Sequence, residues 1–242
     1  MIITPNWQAP KHVNAFASTR MSGASHYPYQ YGNLGLRTGD TMQHVLQNRQ
    51  LLMHEQSMPT SPVWLHQTHS THVVDATHNQ DNQADASITR QPNQILAILT
   101  ADCLPIILTN KTGTEIAAIH AGWRGLCDGI IENTLKKMHS NANDCIAWVG
   151  PAICGHCFEV GDEVCDQFKL NYPFSPRYFF KQQKWHIHLD ELAAHILRLN
   201  GVMSIQKSKL CTFEQKNLFY SYRRDGQTGR IGTFIWFDKP IG

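Results

Sequence analysis

The sequence predicts an α+β fold. Short apolar, β-branched runs alternate with stripes of helical period, and no repeat organises them. Their connections are of mixed length, some hairpin-like and some through helices, which favours α+β over a regular βαβ wheel. In chain order, Met42, Val45, Leu46, Leu52 and Met53 keep a helical period behind Asp40, a suitable N-cap. Strands are expected at residues 63–66 and 73–76, then a polar surface loop at 79–86, then strands at 95–99, 106–108 and 116–120. A second helix is expected after Asp128, where Ile130, Ile131, Leu135 and Met138 line one face. Strands at 146–149 and 185–189 lead to a third stripe of Leu192, Ala193, Ile196 and Leu197. Asp190 opens that stripe and Asn200-Gly201 closes it. The last strands are expected at 209–212, 219–222 and 231–237.

Composition bounds the function. With 242 residues, 42% hydrophobic and 17% charged, the chain can bury the core of a single domain, 1–242. A net charge of +2, with no Lys or Arg run longer than a pair, gives no footprint for nucleic acid, so small ligands are the better expectation. Residues 1–7 lack a basic and apolar leader pattern, and no apolar run is long enough for a bilayer, so the reading is cytoplasmic without a membrane partner. Seven Cys in such a chain point to free thiols and metal ligation rather than a disulfide framework.

Two polar residues interrupt the apolar centre. The run 95–99 ends in Thr100-Ala101-Asp102-Cys103, and the run 116–119 ends in His120-Ala121-Gly122-Trp123-Arg124, so a thiol and an imidazole fall at neighbouring strand ends. Together they suit either a thiolate–imidazolium nucleophile or ligation of a soft metal. Trp64-Leu65-His66-Gln67-Thr68-His69 offers a third ligand, with His66 and His69 on opposite faces by strand alternation.

The order of motifs extends this. Thr19-Arg20-Met21-Ser22-Gly23, Asn33-Leu34-Gly35, Asn48-Arg49, Trp64 to His69, Thr100 to Pro105, His120 to Gly125, Gly150-Pro151-Ala152-Ile153, Phe158-Glu159-Val160-Gly161, Ser221-Tyr222-Arg223-Arg224 and Thr228-Gly229-Arg230 resemble the laccase-domain proteins. That family is also described as polyphenol oxidases and as purine nucleoside phosphorylases with adenosine deaminase activity. The resemblance implies a four-layer α-β-β-α sandwich with mixed sheets. It also implies a metal triad of His69, Cys103 and His120, with zinc as the usual occupant and copper possible. His66 is left a packing or supporting role.

Such a triad is the ligand count of a catalytic zinc that keeps one position open, and such a zinc brings its water to a pKa of roughly 7. That serves hydrolytic loss of the 6-amino group of adenosine. Phosphorolysis of adenosine, inosine or S-methyl-5'-thioadenosine needs anion donors as well, for which Arg20, Arg223, Arg224 and Arg230 are candidates, with Asn33 a further substrate contact. Asp102 is a general acid or base, or a buried carboxylate that orients its neighbours. Cys154-Gly155-His156-Cys157 has redox spacing without the expected strand-to-helix context, which leaves packing or adventitious metal binding. No H-x-E with P-C-x-x-C marks a cytidine-deaminase-type site, and the single H-x-H, His186-Ile187-His188, is too little for a multicopper oxidase. Copper-dependent phenol oxidation and hydrolysis of a peptidoglycan precursor remain as alternatives.

Overall fold

The computed structural model describes residues 1–77 and 82–239. Among them the strands form three sheets. One has the order β1 (Ile2–Ile3), β2 (Val13–Ser18), β14 (Ile231–Phe237), β6 (Leu96–Thr100), β3 (Val63–Trp64). The second has the order β13 (Ser204–Lys207), β9 (Cys145–Val149), β7 (Leu104–Asn110), β8 (Ile116–Ala121), β5 (Ala86–Thr89), β4 (Val73–Asp75). A small third sheet is made of β10 (Glu159–Val160), β12 (Trp185–Ile187) and β11 (Phe179–Lys181). Both large sheets are mixed. β7 and β8 pair antiparallel through a tight turn at Gly113, whose φ of 67° suits glycine, whereas β9 and β13 pair parallel because long helical segments separate them.

Side-chain alternation stacks these sheets. Leu96 and Ile98 of β6 and Ile235 and Phe237 of β14 pack in one cluster with Ile107 of β7 and Ile116 and Ala118 of β8. The intervening residues Ala97, Phe234 and Trp236 face the other way, where Leu52 and Met53 of α1 (Met42–Glu55) cover them. On the far side of the second sheet, Ile106, Leu108, Ala117 and Ile119 pack against α2 (Trp123–Cys127), α3 (Ile130–Lys137), α4 (Asp162–Asn171) and α5 (Leu189–Leu199). The layers are therefore helix, sheet, sheet, helix. Truncating Ile98 or Ile107 in the middle layer to Ala costs about 2–5 kcal/mol. Among the described residues no helix is long and apolar enough to cross a membrane, and all seven cysteines are free thiols.

Several elements differ from the sequence expectation. Residues 209–212 are not a strand; they make one bridge, Ala152 to Cys211, and the outer neighbour of β9, opposite β7, is instead β13, a half-exposed edge strand. Nor are residues 219–222, where Phe219 and Tyr220 plug a small cluster with Ala101 and Ile231 before α6 (Tyr222–Asp225) turns outward. Of the expected loop 79–86, residues 79–81 lie outside the described residues, while Ala84 and Asp85 are fully buried and Ala86 opens β5. Asp40 does not cap α1 with its side chain; Thr41 is the N-cap, and Asp40 accepts from Ser25 and Asn33 instead. Asp128 ends α2 rather than opening α3, because the chain reverses through Gly129 at φ 93° between two abutting helices.

Candidate active site

The ends of β3 and β6 in one large sheet and of β8 in the other come together around one group of side chains, and β8 delivers His120 to it. Alternation from Ile116 and Ala118 puts its imidazole on the face between the sheets. The β5–β8 ladder, with Ala86 opposite Ile119, continues one step to Asp85, whose carbonyl accepts from the His120 amide at 2.7 Å. Their side chains meet as well, with Nδ1 of His120 donating to Oδ1 of Asp85 at 2.7 Å. A proton is thereby held on Nδ1, so Nε2 is the nitrogen that can give up its own proton to a ligand.

Asp85 also holds the second imidazole in place. Its carboxylate accepts from the amides of Thr68 (3.1 Å), His69 (3.0 Å) and Ser70 (2.7 Å) and from the Ser70 hydroxyl (2.7 Å). These bonds fix a turn in which His69 sits at φ 62°, a left-handed conformation uncommon for a residue with a side chain. The expectation of a strand through His66 is replaced by this turn, since β3 stops at Trp64. Cys103 is placed by the other aspartate. Asp102, itself at φ 96°, accepts from Thr212 Oγ1 (2.7 Å), Ser221 Oγ (2.9 Å) and the Arg223 amide (2.7 Å), and so fixes the link between β6 and β7. Both Asp102 oxygens are engaged in orienting these neighbours.

The three groups converge. His69 Nε2 lies 3.7 Å from Cys103 Sγ, the two imidazole centroids are 4.8 Å apart, and one donor atom from each residue lies within 4.8 Å of the others. Gly122 makes room for them: a Cβ there would meet His69 Cδ2 at 2.8 Å and Cys103 Sγ at 3.4 Å. Burial opposes ionisation of Cys103, but the His120 charge and the hydrogen bonds from His120 and His69 overcome it and pull the thiol down to about 6. Burial likewise opposes charge on His120, yet Cys103 and Asp85 raise it to about 9. Asp85 stays well below the usual carboxylate range despite its burial, through its bonds to His120 and Ser70. A thiolate and two imidazoles, one backed by a carboxylate, fit a zinc or copper ion chemically, with a position left for a ligand.

A cavity of about 590 Å³ opens over this group, lined also by Trp64, His66, Gln67, Tyr222 and the arginines 37, 49 and 230. Arg49 donates twice to the Leu34 carbonyl (3.0 and 2.8 Å), and its guanidinium carbon stands 3.7 Å over the Trp64 ring. Burial pulls Arg49 down to about 10, so it presents a cation in a poorly solvated wall. Nη1 of Arg230 is held by the carbonyls of Thr228 and Gly229, both at 2.9 Å, and its side chain passes over Gly35, where a Cβ would meet it at 2.8 Å.

The other expected substrate residues are not brought to this cavity. Asn33 is fully buried, bonding Thr38, Asp40 and the amides of Gly35 and Arg230, so it shapes the wall from behind. Arg20 donates to Gln30 and stacks over Tyr220, beside a separate groove that it shares with Arg224. The Arg224 guanidinium is taken up by the carbonyls of Thr212, Phe213 and Phe219 and by Asp225. Arg223 reaches the Glu159 carbonyl at 2.8 Å and lies over Phe158. The reason is local: α6 is one short turn, and it gives the cavity Tyr222 while swinging its two arginines elsewhere. Sequence reasoning missed Asp85, hidden after a polar stretch, and Arg49, quoted among the motif residues without a role.

A family model described as multi-copper polyphenol oxidoreductase laccase matches residues 14–238. The chain belongs to this family. Among laccase-domain relatives, a purine nucleoside phosphorylase of Haemophilus influenzae is 43% identical over 98% of this chain and 99% of its own length. The purine nucleoside phosphorylase YfiH of Escherichia coli is 41% identical over 97% of this chain and 98% of its own. In three dimensions the crystal structure of the Neisseria meningitidis protein NMB0706 superposes with a TM-score of 0.93 at 37% identity, covering 98% of this chain and 99% of that one.

Proposed function

We propose that the cavity is the active site of a zinc-dependent purine nucleoside phosphorylase. It takes adenosine, inosine and S-methyl-5'-thioadenosine, and it deaminates adenosine in the same place. One observation carries the reading: a His69, Cys103 and His120 group shares one cavity with Arg49, Arg230 and the Trp64 ring. The names of the Haemophilus and Escherichia relatives support the same class of reaction.

In phosphorolysis the bond between the anomeric carbon and the purine nitrogen breaks, its electron pair leaves with the purine, and a phosphate oxygen bonds to the carbon. Phosphate must be held against that carbon, and planar guanidinium donors in a poorly solvated wall are suited to hold it. Arg230 and Arg49 take this role, with Arg37 at the rim. The departing purine needs a proton, for which the His66 imidazole lining the cavity is the candidate carrier. In deamination the bond from C6 to nitrogen breaks, one to a water oxygen forms, and ammonia leaves with the proton. When bound, zinc supplies a Lewis acid at the cavity floor. Asp85 keeps His120 in the ligating tautomer, and Asp102 acts as a positioning residue through Cys103 rather than as a proton carrier.

The test is a nucleoside panel incubated with metal-analysed protein, with and without phosphate, and the products separated. Free base with ribose 1-phosphate supports phosphorolysis, and inosine from adenosine supports deamination. Turnover of phenols alone after copper loading, or of muropeptides alone, would replace the assignment.

A further inference from the structure

We propose that Cys154, Cys157, Cys211 and Glu214 form a second zinc site, structural and closed by four protein ligands, next to the loop that carries Asp102. The first two ligands come from the Cys154-Gly155-His156-Cys157 turn, in which the Cys157 amide donates to the Cys154 carbonyl at 3.0 Å and brings both sulfurs to one side. The third comes from the neighbouring loop. A parallel bridge joins Ala152 to Cys211, the Thr212 amide donates to the Ala152 carbonyl at 3.0 Å, and the Cys154 amide points at Cys211 Sγ at 3.3 Å. One helical turn follows, with the Gln215 amide donating to the Cys211 carbonyl at 3.1 Å, and it returns Glu214 to the same side.

The separations suit the ion. Glu214 Oε1 lies 3.8 Å from Cys154 Sγ and 3.7 Å from Cys157 Sγ, and the four donor atoms all lie within 4.8 Å of one another. Tetrahedral zinc with Zn–S near 2.3 Å and Zn–O near 2.1 Å requires sulfur–oxygen separations of about 3.6 Å. Three thiols and a carboxylate converge on one point, and a bound cation would take the thiols as thiolates and hold the set together. A Cys154–Cys157 disulfide would leave Cys211 and Glu214 unexplained. A redox role also lacks its context, since the turn at 154–157 opens no helix and α4 begins only at Asp162.

The site has a structural purpose. The Ile153 amide donates to the Asp102 carbonyl at 3.0 Å, and Thr212 donates to the Asp102 carboxylate, so the ion would staple the two loops that hold the residue preceding Cys103. This assignment does not depend on the proposed reaction, and its test needs no substrate.

The experiment is metal analysis of full-length protein purified with zinc. Wild type is expected to hold about two zinc ions per chain, and Cys154→Ser/Cys157→Ser and Cys103→Ala/His120→Ala about one each. In the Cys103→Ala/His120→Ala background, cobalt exchanged for zinc is expected to show the intense near-ultraviolet bands of several thiolate ligands, and chelation to lower the melting temperature by about 5–10 °C. Cys103→Ala/His120→Ala protein that folds without zinc, or that carries a Cys154–Cys157 disulfide when purified under reducing conditions, overturns the proposal. Should the serine variant fail to fold, that background decides alone.

Discussion

Asp85→Asn tests whether one buried carboxylate organises both imidazoles. Every group bonded to the Asp85 carboxylate is a donor: His120 Nδ1 and the His69 amide on Oδ1, and the amides and hydroxyls of Thr68 and Ser70 on Oδ2. An amide replaces one of those acceptor oxygens with an NH2. Placed toward Oδ2 it orphans two backbone donors, so the less costly placement is toward Oδ1. There His120 can escape by giving up its Nδ1 proton and keeping the one on Nε2, and only the His69 amide is left unpaired. One orphaned buried donor costs about 1–3 kcal/mol. The tautomer change occupies the nitrogen needed for the metal, and lost carboxylate support of a ligating His weakens metal binding by about 10–100-fold. Urea denaturation of the metal-free protein reads the first quantity, and competition with a chromophoric chelator reads the second. If zinc affinity is unchanged while stability falls, Asp85 is a folding residue only and the organising role is wrong.

Three further outcomes follow from the same geometry. Alkylation of Cys103 in metal-free protein, followed on its own peptide by mass spectrometry, should have its midpoint near pH 6 and level off above that; a midpoint at about 8.5, the free-thiol value, would remove the ion pair with His120. The sign is fixed by both partners: the folded thiol loses its proton below the unfolded value while folded His120 keeps its proton up to about 9, so the pair stabilises the metal-free fold between those limits and is lost as pH falls through about 6 or rises through about 9. Gly122→Ala should leave urea stability within about 1 kcal/mol, because exposed His69 can swing aside, yet reduce zinc affinity at least tenfold by calorimetric titration, since the new methyl occupies the space between two ligands. Arg230→Ala should raise the phosphate KM by about tenfold or more with adenosine deamination little changed, whereas Arg224→Ala should lower stability and both activities together by stranding the carbonyls of Thr212, Phe213 and Phe219; the reverse pattern would put phosphate in the groove near Arg20.

What was legible in the sequence tracks how local the signal is. Ile231 to Phe237 and Ile116 to Ala121 are buried on both faces, so their apolar runs stand out, and the residues that end them, His120 among them, were found by position alone. β2 and β13 were not, because Asn14 and Ser18 interrupt the first and the second is a half-exposed edge. Asp85 looked like part of a polar loop; its role depends on a ladder partner far along the chain, and no window of neighbouring residues contains that information. The arginines show the same limit. Arg223, Arg224 and Arg230 are close in sequence and equivalent by charge, but a four-residue helix and a set of backbone carbonyls decide that Arg230 alone of them lines the cavity.

The family's printed description and its relatives' names point to different chemistry, and the ligand inventory bears on which suits this chain. Reducing dioxygen to water takes several electrons, and a copper centre passes them singly, so an oxidase of that kind needs several coppers within reach of one another, held largely by imidazoles. Of the two groups of ligating side chains among the described residues, only one contains imidazole; the other offers three sulfurs and a carboxylate, a set suited to holding a loop together. The imidazoles of the H-x-H pair, His186 and His188, are stacked on Phe180 in the small sheet and make no third group. The one imidazole-containing group, beside Arg49, Arg230 and Trp64, would instead suit the proposed reaction, in which no electron changes hands, an anion is held and a polarised bond is broken. Slow phenol turnover after copper loading is compatible with such a site, because copper outranks zinc for the same ligands, and it would reflect the ion supplied rather than the proposed reaction.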